Sequence, residues 1–225
     1  MTKQFWIIVI VILGVFIGIV TFGNKTSTKD AKPTNHVKGQ GSVSLVEYGD
    51  YQCPYCGQYA STVTEVAKKY STQITFQFRN FPLTSIHQNS FAAARAAEAA
   101  GLMGKFWEMN DILYQQNVIY NSSNQSTPTW IGAKNPESVF VSYAKSLGLD
   151  TSKFQELYAS DQVNNLINAD ENAGNNLKVD STPAFFLNGK KIQVNNTLQD
   201  FSKLIDAALA NTKSTTGGAI TQTKK

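Results

Sequence analysis

Residues 43–57 read Val43-Ser44-Leu45-Val46-Glu47-Tyr48-Gly49-Asp50-Tyr51-Gln52-Cys53-Pro54-Tyr55-Cys56-Gly57, and this stretch decides the fold. An apolar, strand-like run ends at Gly49-Asp50 and leads into the two cysteines of the chain. Pro54 fits the first turn of a helix, because the N–H that proline lacks would have had no intrahelical partner there. The pattern therefore predicts a strand, a turn and a helix that starts at Pro54, with Cys53 at its N-terminus.

The position of Cys53 at a helix N-terminus predicts a thiol that ionises readily. Unpaired backbone N–H groups and the positive end of the helix dipole stabilise an anion at that place. Cys56 lies one helical turn further along the chain. A thiolate beside a second thiol is the arrangement that dithiol–disulfide exchange requires.

Two other interpretations of the C-x-x-C motif are weaker. A zinc site needs two further ligands, and the two histidines of the chain, His36 and His87, lie far apart in a polar linker and a distant segment. A purely structural disulfide across a two-residue loop constrains the unfolded chain very little. A C-x-x-C motif that follows a strand and opens a helix favours redox chemistry.

A second motif lies far along the chain, in the run Ser181-Thr182-Pro183-Ala184-Phe185-Phe186-Leu187-Asn188-Gly189. Together with Cys53-Pro54-Tyr55-Cys56 it resembles the thioredoxin superfamily. More narrowly, it resembles the DsbA-like thiol–disulfide oxidoreductases, including the membrane-anchored Gram-positive type. The resemblance covers about residues 42–210. It implies an α/β thioredoxin fold with a helical insertion, at about residues 84–160, between the second and third core strands.

The resemblance also implies roles for the residues of the first motif. Cys53 is expected to be an exposed nucleophile that forms a mixed disulfide with a client cysteine, and Cys56 is expected to resolve it. Pro54 and Tyr55 complete the catalytic motif, and Tyr55 stands where some relatives place a histidine. His87 is expected to be a cap or loop residue without a part in the chemistry.

Glu47 has two interpretations, because it is an acid within an apolar strand. It is either a solvent-facing strand residue or a buried carboxylate beneath the cysteine pair, which is the arrangement that the resemblance implies. A buried carboxylate would have a raised pKa and could exchange a proton with Cys56. Asp50, directly after Gly49, is expected to be a turn residue.

Thr182 and Pro183 are the predicted substrate-binding residues. A proline at the start of a strand is tolerated at a sheet edge, which is the simplest interpretation of Pro183. The resemblance implies more: a cis peptide bond opposite the cysteines, with the Thr182 backbone left free to bind an extended client segment.

The remaining elements follow from hydrophobic periodicity and turn residues. Asn188-Gly189 is a type I′ turn dipeptide that predicts a hairpin. The predicted strands are 43–48, 74–78, 184–187 and 191–194. The predicted helices are 54–70, 91–100, 106–114, 136–147, 152–159, 161–177 and 197–210, and residues 115–134 are predicted to form a loop.

The N-terminal segment is expected to anchor the protein in a membrane. Residues 5–22 are uncharged and apolar, which is near the lower limit for a spanning helix, and no convincing cleavage site follows them. We therefore assign 1–23 to an anchor, 24–41 to a flexible linker, 42–210 to the thioredoxin-like domain and 211–225 to a disordered tail. The lysines after residue 23 favour a cytoplasmic domain, whereas the cysteine chemistry favours an extracytoplasmic one, which we adopt.

Composition limits the remaining functions. The chain has 225 residues, of which 42% are hydrophobic, so it can form one well-buried domain with appendages. Its net charge of +4 comes without an arginine-rich patch, which argues against nucleic-acid binding. No metal or organic cofactor is implied. The expected activity is oxidation of client proteins, with reoxidation by a membrane redox partner; a tethered reductase or isomerase and a non-catalytic peptide-binding module are the alternatives.

Overall fold

The computed structural model describes residues 32–123 and 129–217, with side chains as far as residue 212. The predicted anchor at residues 5–22 lies outside these ranges. Within them, no helix combines the length and the hydrophobicity that crossing a membrane requires.

The described residues form five strands and seven helices. The strands are β1 (His36–Lys38), β2 (Val43–Gly49), β3 (Ile74–Asn80), β4 (Ala184–Leu187) and β5 (Lys190–Ile192). The helices are α1 (Pro54–Lys69), α2 (Ser90–Leu102), α3 (Phe106–Ser122), α4 (Glu137–Ser146), α5 (Thr151–Tyr158), α6 (Asp161–Asn176) and α7 (Leu198–Gly217).

The strands form one mixed sheet in the order β1-β3-β2-β4-β5. β2 and β3 are parallel, as a helical crossover through α1 requires, and the other neighbouring pairs are antiparallel. Asn188 and Gly189 both have positive φ between β4 and β5, as a type I′ turn requires. β2 therefore lies at the centre of the sheet, and its end carries the cysteine loop.

The helical insertion lies where it was predicted, between the strands that begin at Ile74 and Ala184. Its first helix, α2, is rich in alanine and buried on nearly all sides, because α3, α5 and α6 pack around it. Its largest fully buried side chains are Trp130, Phe140 and Phe154. The predicted α/β fold with a helical insertion is confirmed.

The linker prediction is wrong for residues 34–38. His36–Lys38 form the edge strand β1, which pairs antiparallel with β3. Thr34 is buried, and its backbone N–H and hydroxyl both donate to Asp170, at 2.7 Å each. The local composition of this segment is polar, so its structure depends on partners that lie far away in the sequence.

Two further boundaries differ from the prediction. The helix α3 runs to Ser122, where a loop was predicted from Gln115, because its last turns pack beside the cysteine loop through Asn117. The helix α7 continues to Gly217, beyond the predicted end at Ala210.

Candidate functional site

The two cysteines lie at the start of α1. Cys53 is the N-cap residue, Pro54 occupies the first helical position, and Cys56 lies within the first turn. The Cys53 N–H donates to the Asp50 carbonyl at 3.1 Å, which closes the turn between β2 and the helix. Both cysteines are free thiols. Cys53 is only 5% exposed, less than the sequence predicted, and Cys56 is completely buried.

The two thiols have pKa values on opposite sides of neutrality. The pKa of Cys53 is lowered to about 6, chiefly by a hydrogen bond from the Cys56 thiol. Burial opposes this effect, while the backbone of Cys56 and Tyr55 and the Thr182 side chain assist it. The helix start therefore contributes, as predicted, but the second thiol contributes more. Burial raises the pKa of Cys56 well above its ordinary range.

Glu47 is the buried carboxylate rather than a solvent-facing strand residue. It points to the same face of β2 as Val43 and Leu45, because side chains alternate along a strand, and it is 3% exposed. Its Oε1 atom has no hydrogen-bond partner among the described residues. Burial and then the charge of Cys53 raise its pKa to about 8.

A small cavity of about 20 Å³ adjoins Glu47. It lies between α1 and α3, and its lining includes Asn110 and Tyr114 on the inside and Lys38 and Trp107 toward the surface. This volume accommodates one water molecule. Space for one water molecule thus adjoins the buried carboxyl.

Thr182 and Pro183 lie against Cys53. The peptide bond between them is cis, and the Cys53 thiol donates to the Thr182 carbonyl at 3.3 Å. A groove of about 250 Å³ begins at this contact and follows the edge strand β5. Its lining includes Tyr59 and Tyr55, and Tyr55 is 65% exposed. The structure therefore brings the two predicted motifs together beside an open groove.

Asp50 is a turn residue, as predicted, and it also organises the site. Its Oδ1 atom accepts from the Gln52 N–H at 2.7 Å, and its Oδ2 atom accepts from the Leu83 N–H at 2.8 Å. The same Oδ2 atom is 2.7 Å from Nδ1 of His87. His87 lies in a loop, as predicted, but sequence reasoning missed this contact, because the two residues are 37 positions apart without a shared motif.

Asn117 of α3 is a second residue that sequence reasoning missed. It is fully buried, and its side-chain amide donates to the carbonyls of Tyr51, at 2.8 Å, and Cys53, at 3.2 Å. The insertion thereby holds the cysteine loop directly. In the part of the chain that the structure describes, no cluster of three or more His, Cys, Asp or Glu side chains could hold a metal ion.

The chain is similar in sequence to a known family and to several known proteins. Residues 32–207 match the family model described as thioredoxin, and this range begins just before β1. A protein named Na(+)/H(+) antiporter NhaA 1 from Salinispora arenicola is 34% identical over 181 residues, 80% of this chain, and one of the same name from a Mycobacterium is 34% identical over 70% of it. The chain spans about a quarter of the length of these curated relatives.

Solved structures share the fold. BdbD from Bacillus subtilis, in its oxidised form, superimposes with a TM-score of 0.65 at 20% identity, covering 80% of this chain and 97% of BdbD. A thioredoxin-like oxidoreductase from Silicibacter pomeroyi gives 0.63 at 24% identity, covering 79% and 93%. The thiol–disulfide exchange protein alpha-DsbA2 from Wolbachia pipientis gives 0.62 at 19%, covering 77% and 87%.

Proposed function

The chain belongs to the thioredoxin family, and from this premise we propose that it is a DsbA-like thiol–disulfide oxidoreductase that oxidises cysteine pairs of client proteins. The observation that carries the proposal is the separation of the two thiols. The pKa of Cys53 is about 6, while that of Cys56 lies well above its ordinary range. One sulfur is thus a good leaving group near neutral pH, and the other retains its proton.

The first step is attack on the oxidised protein. A client thiolate attacks the Cys53 sulfur, the Cys53–Cys56 bond breaks, and the electron pair of that bond leaves on Cys56. Glu47, which keeps its proton up to a pH of about 8, is the buried acid available to protonate the departing Cys56 sulfur. The product is a mixed disulfide between the client and Cys53.

The second step releases the client. Its other thiolate attacks the client sulfur in the mixed disulfide, and Cys53 leaves as a thiolate with the electron pair of that bond. Two electrons have then passed from the client dithiol to the protein. The low pKa of Cys53 favours this departure, because a thiol of lower pKa leaves faster.

The groove beside Pro183 is where we place the client segment. Its lining combines the rings of Tyr55 and Tyr59 with the backbone at Thr182 and along β5. An extended peptide is well suited to such a site, since main-chain hydrogen bonds to a sheet edge provide affinity and shallow apolar contacts orient the chain. The client cysteine then lies next to the Cys53 sulfur.

Trapping of the mixed disulfide tests the proposal. Reduced Cys56→Ser protein, incubated with a cyclic disulfide peptide, should accumulate a covalent adduct at Cys53 that mass spectrometry detects. The matched Cys53→Ser variant should form none, because its remaining thiol is buried and protonated. A Cys53→Ala variant that still supports the cellular function of the protein would instead indicate a non-catalytic peptide-binding module.

The direction of electron transfer depends on the reduction potential of the Cys53–Cys56 pair. Reduction potentials run from about −270 mV for thioredoxin to about −120 mV for DsbA, with nucleophilic cysteine pKa values of about 7 and 3.5. A Cys53 pKa of about 6 lies between them, so we expect an intermediate potential and a mild oxidant. Equilibration with glutathione measures it. A value near that of thioredoxin would favour the tethered reductase or isomerase.

Location and partners form a further part of the proposal. We place the catalytic domain outside the cytoplasm, tethered through residues 5–22 in the manner of the Gram-positive type, with a membrane protein that reoxidises Cys53 and Cys56. Labelling of Cys53 in intact cells with a membrane-impermeant thiol reagent tests the orientation. Antiport is not carried over from the relatives, because the chain spans about a quarter of their length.

A further inference from the structure

His87 is joined to the start of α1 through Asp50. The imidazole Nδ1 and the Asp50 carboxylate are 2.7 Å apart, and the carbonyl of the same aspartate accepts the Cys53 N–H at 3.1 Å. Asp50 is 1% exposed, so these contacts are sheltered from solvent. The imidazole, the carboxylate and the cysteine turn therefore form one connected unit.

The charged groups near the Cys53 sulfur are mostly acidic, and His87 is a basic residue close to them. Glu47 lies on β2 and its pKa is raised in part by the charge of Cys53, Asp50 precedes Cys53 in the turn, and the second thiol, Cys56, lies in α1. Pro54 and Tyr55, the residues between the two cysteines, include no basic side chain. Among the described residues, Lys38 lines the cavity beside Glu47, and the imidazole of His87, from the loop before α2, is the basic group bonded to Asp50.

We propose that His87, held by Asp50, is a positioning residue that supplies the positive charge opposite the Cys53 thiolate and takes up a proton when the cysteine pair is reduced. This inference rests on the proposed function and adds to it a second proton acceptor. The role is electrostatic: Asp50 holds the imidazole near the cysteine turn, and the charge of the imidazolium acts on the sulfur through space.

The proton balance follows from the exchange reaction. A client dithiol gives up two electrons and two protons when it becomes a disulfide. The electrons convert the Cys53–Cys56 disulfide to one thiolate and one thiol, so Cys56 takes one proton. His87, whose pKa rises when the thiolate forms, takes up part of the other proton, and solvent takes the rest. The uptake offsets part of the negative charge that the new thiolate adds to the site.

The titration behaviour of the residues agrees with this arrangement. The hydrogen bond to Asp50 raises the pKa of His87, burial opposes the rise, and the charges of Asp50 and of Cys53 add to it. The contribution of Cys53 exists only while that sulfur is a thiolate. Formation of the disulfide removes it, so the pKa of His87 is higher in the reduced protein than in the oxidised protein.

Proton NMR of the full chain tests the proposal without any client. The His87 ring resonances are titrated in the oxidised and the reduced protein, and we expect a midpoint higher by about 1 unit in the reduced form. The resonances of His36, which is stacked on Phe106 and bonded to Glu98, are recorded in the same spectra as the internal control. Equal His87 midpoints in the two forms would overturn the proposal.

Two variants separate charge from structure. His87→Asn keeps a donor near Asp50 but cannot become a cation, whereas His87→Ala removes both. We expect both to raise the pKa of Cys53 by about 1 unit, measured from the thiolate absorbance of the reduced protein. If His87→Asn keeps the wild-type value while His87→Ala does not, the role is structural and the proposal fails. Adduct formation at Cys53 in the trapping experiment stays a separate measurement, so either claim can fail alone.

Discussion

Glu47 and Asp170 are both buried carboxylates, but their surroundings differ. Asp170 of α6 is completely buried and accepts hydrogen bonds from Thr34, from Asn80 and from Arg79, with which it also forms an ion pair. Glu47 has an oxygen without a hydrogen-bond partner among the described residues. One carboxylate joins three segments of the chain, while the other stays protonated over most of the physiological range.

The two carboxylates therefore have different consequences: Asp170 affects the stability of the fold, and Glu47 affects proton transfer at the cysteines. A buried charge is tolerated when every lone pair is satisfied, and its removal then leaves several donors without partners. A buried carboxyl without such partners takes a raised pKa, which suits it to give and accept protons. The cysteine site therefore carries a cost in stability, whereas both oxygens of Asp170 are bonded at the junction of β1, β3 and α6.

The largest expected effect is at the satisfied carboxylate. Asp170→Ala should lower the free energy of unfolding by about 3–5 kcal/mol, because Thr34, Arg79 and Asn80 lose a buried acceptor. Urea denaturation measures this. Glu156→Ala is the matched control, since its carboxylate is exposed and pairs only with Lys153, and it should change stability by less than about 0.5 kcal/mol. Similar losses in the two variants would contradict the comparison.

The next effect has the opposite sign and depends on pH. The pKa of Glu47 rises on folding from 4.5 to about 8, so its protonated form stabilises the folded dithiol protein below pH 4.5. That contribution is lost as the pH rises to about 8, by roughly 4 kcal/mol. Glu47→Gln should therefore gain stability relative to the wild type over this range, and its exchange should slow by about 10²-fold. Parallel pH curves in urea denaturation would contradict the raised pKa.

A smaller effect is expected where the insertion holds the cysteine loop. Asn117→Ala should cost about 2 kcal/mol, because the carbonyls of Tyr51 and Cys53 lose a buried donor. The substitution should also change the pKa of Cys53, because the Cys53 carbonyl loses the hydrogen bond that holds it at the start of α1. Gln115→Ala, at an exposed position of α3, is the control and should leave that pKa unchanged. Thermal unfolding and thiolate absorbance provide the two measurements.

The smallest effect compares two neighbouring tyrosines. Tyr51 and Tyr114 lie in one aromatic cluster with ring centroids 4.9 Å apart, but only the Tyr51 hydroxyl bonds to Asn110. Tyr51→Phe should therefore cost about 1 kcal/mol. Tyr114→Phe should be neutral or slightly stabilising, because it removes a buried hydroxyl that has no protein partner in the described residues. Equal losses would show that the Tyr114 hydroxyl is satisfied.

The sequence predicts correctly the elements that are determined by neighbouring residues. Gly49-Asp50 and Pro54 define a turn and a helix start within a few residues, and Asn188-Gly189 does the same for the hairpin. The burial of Glu47 was one of two interpretations, and strand alternation with Val43 and Leu45 could have decided between them.

The features that were missed depend on distant partners. Thr34 bonds to a residue 136 positions away, and His87 contacts Asp50 across 37 positions. No pattern in the sequence around Thr34 or His87 identifies such a partner. The sequence therefore predicts a flexible linker where β1 lies, and a loop residue without a part in the chemistry at His87. The same holds for Asn117, whose two carbonyl acceptors lie on a different element.

The edge position of β1 has a mechanical consequence. The sheet order puts β1 and β5 on opposite margins, and the groove follows β5. A force that pulls on the chain before residue 32 acts first on the two hydrogen bonds between Thr34 and Asp170 and on the three-residue pairing of β1 with β3. Force from that side therefore acts first on β3 and α6, and not on the opposite margin of the sheet, where the groove lies.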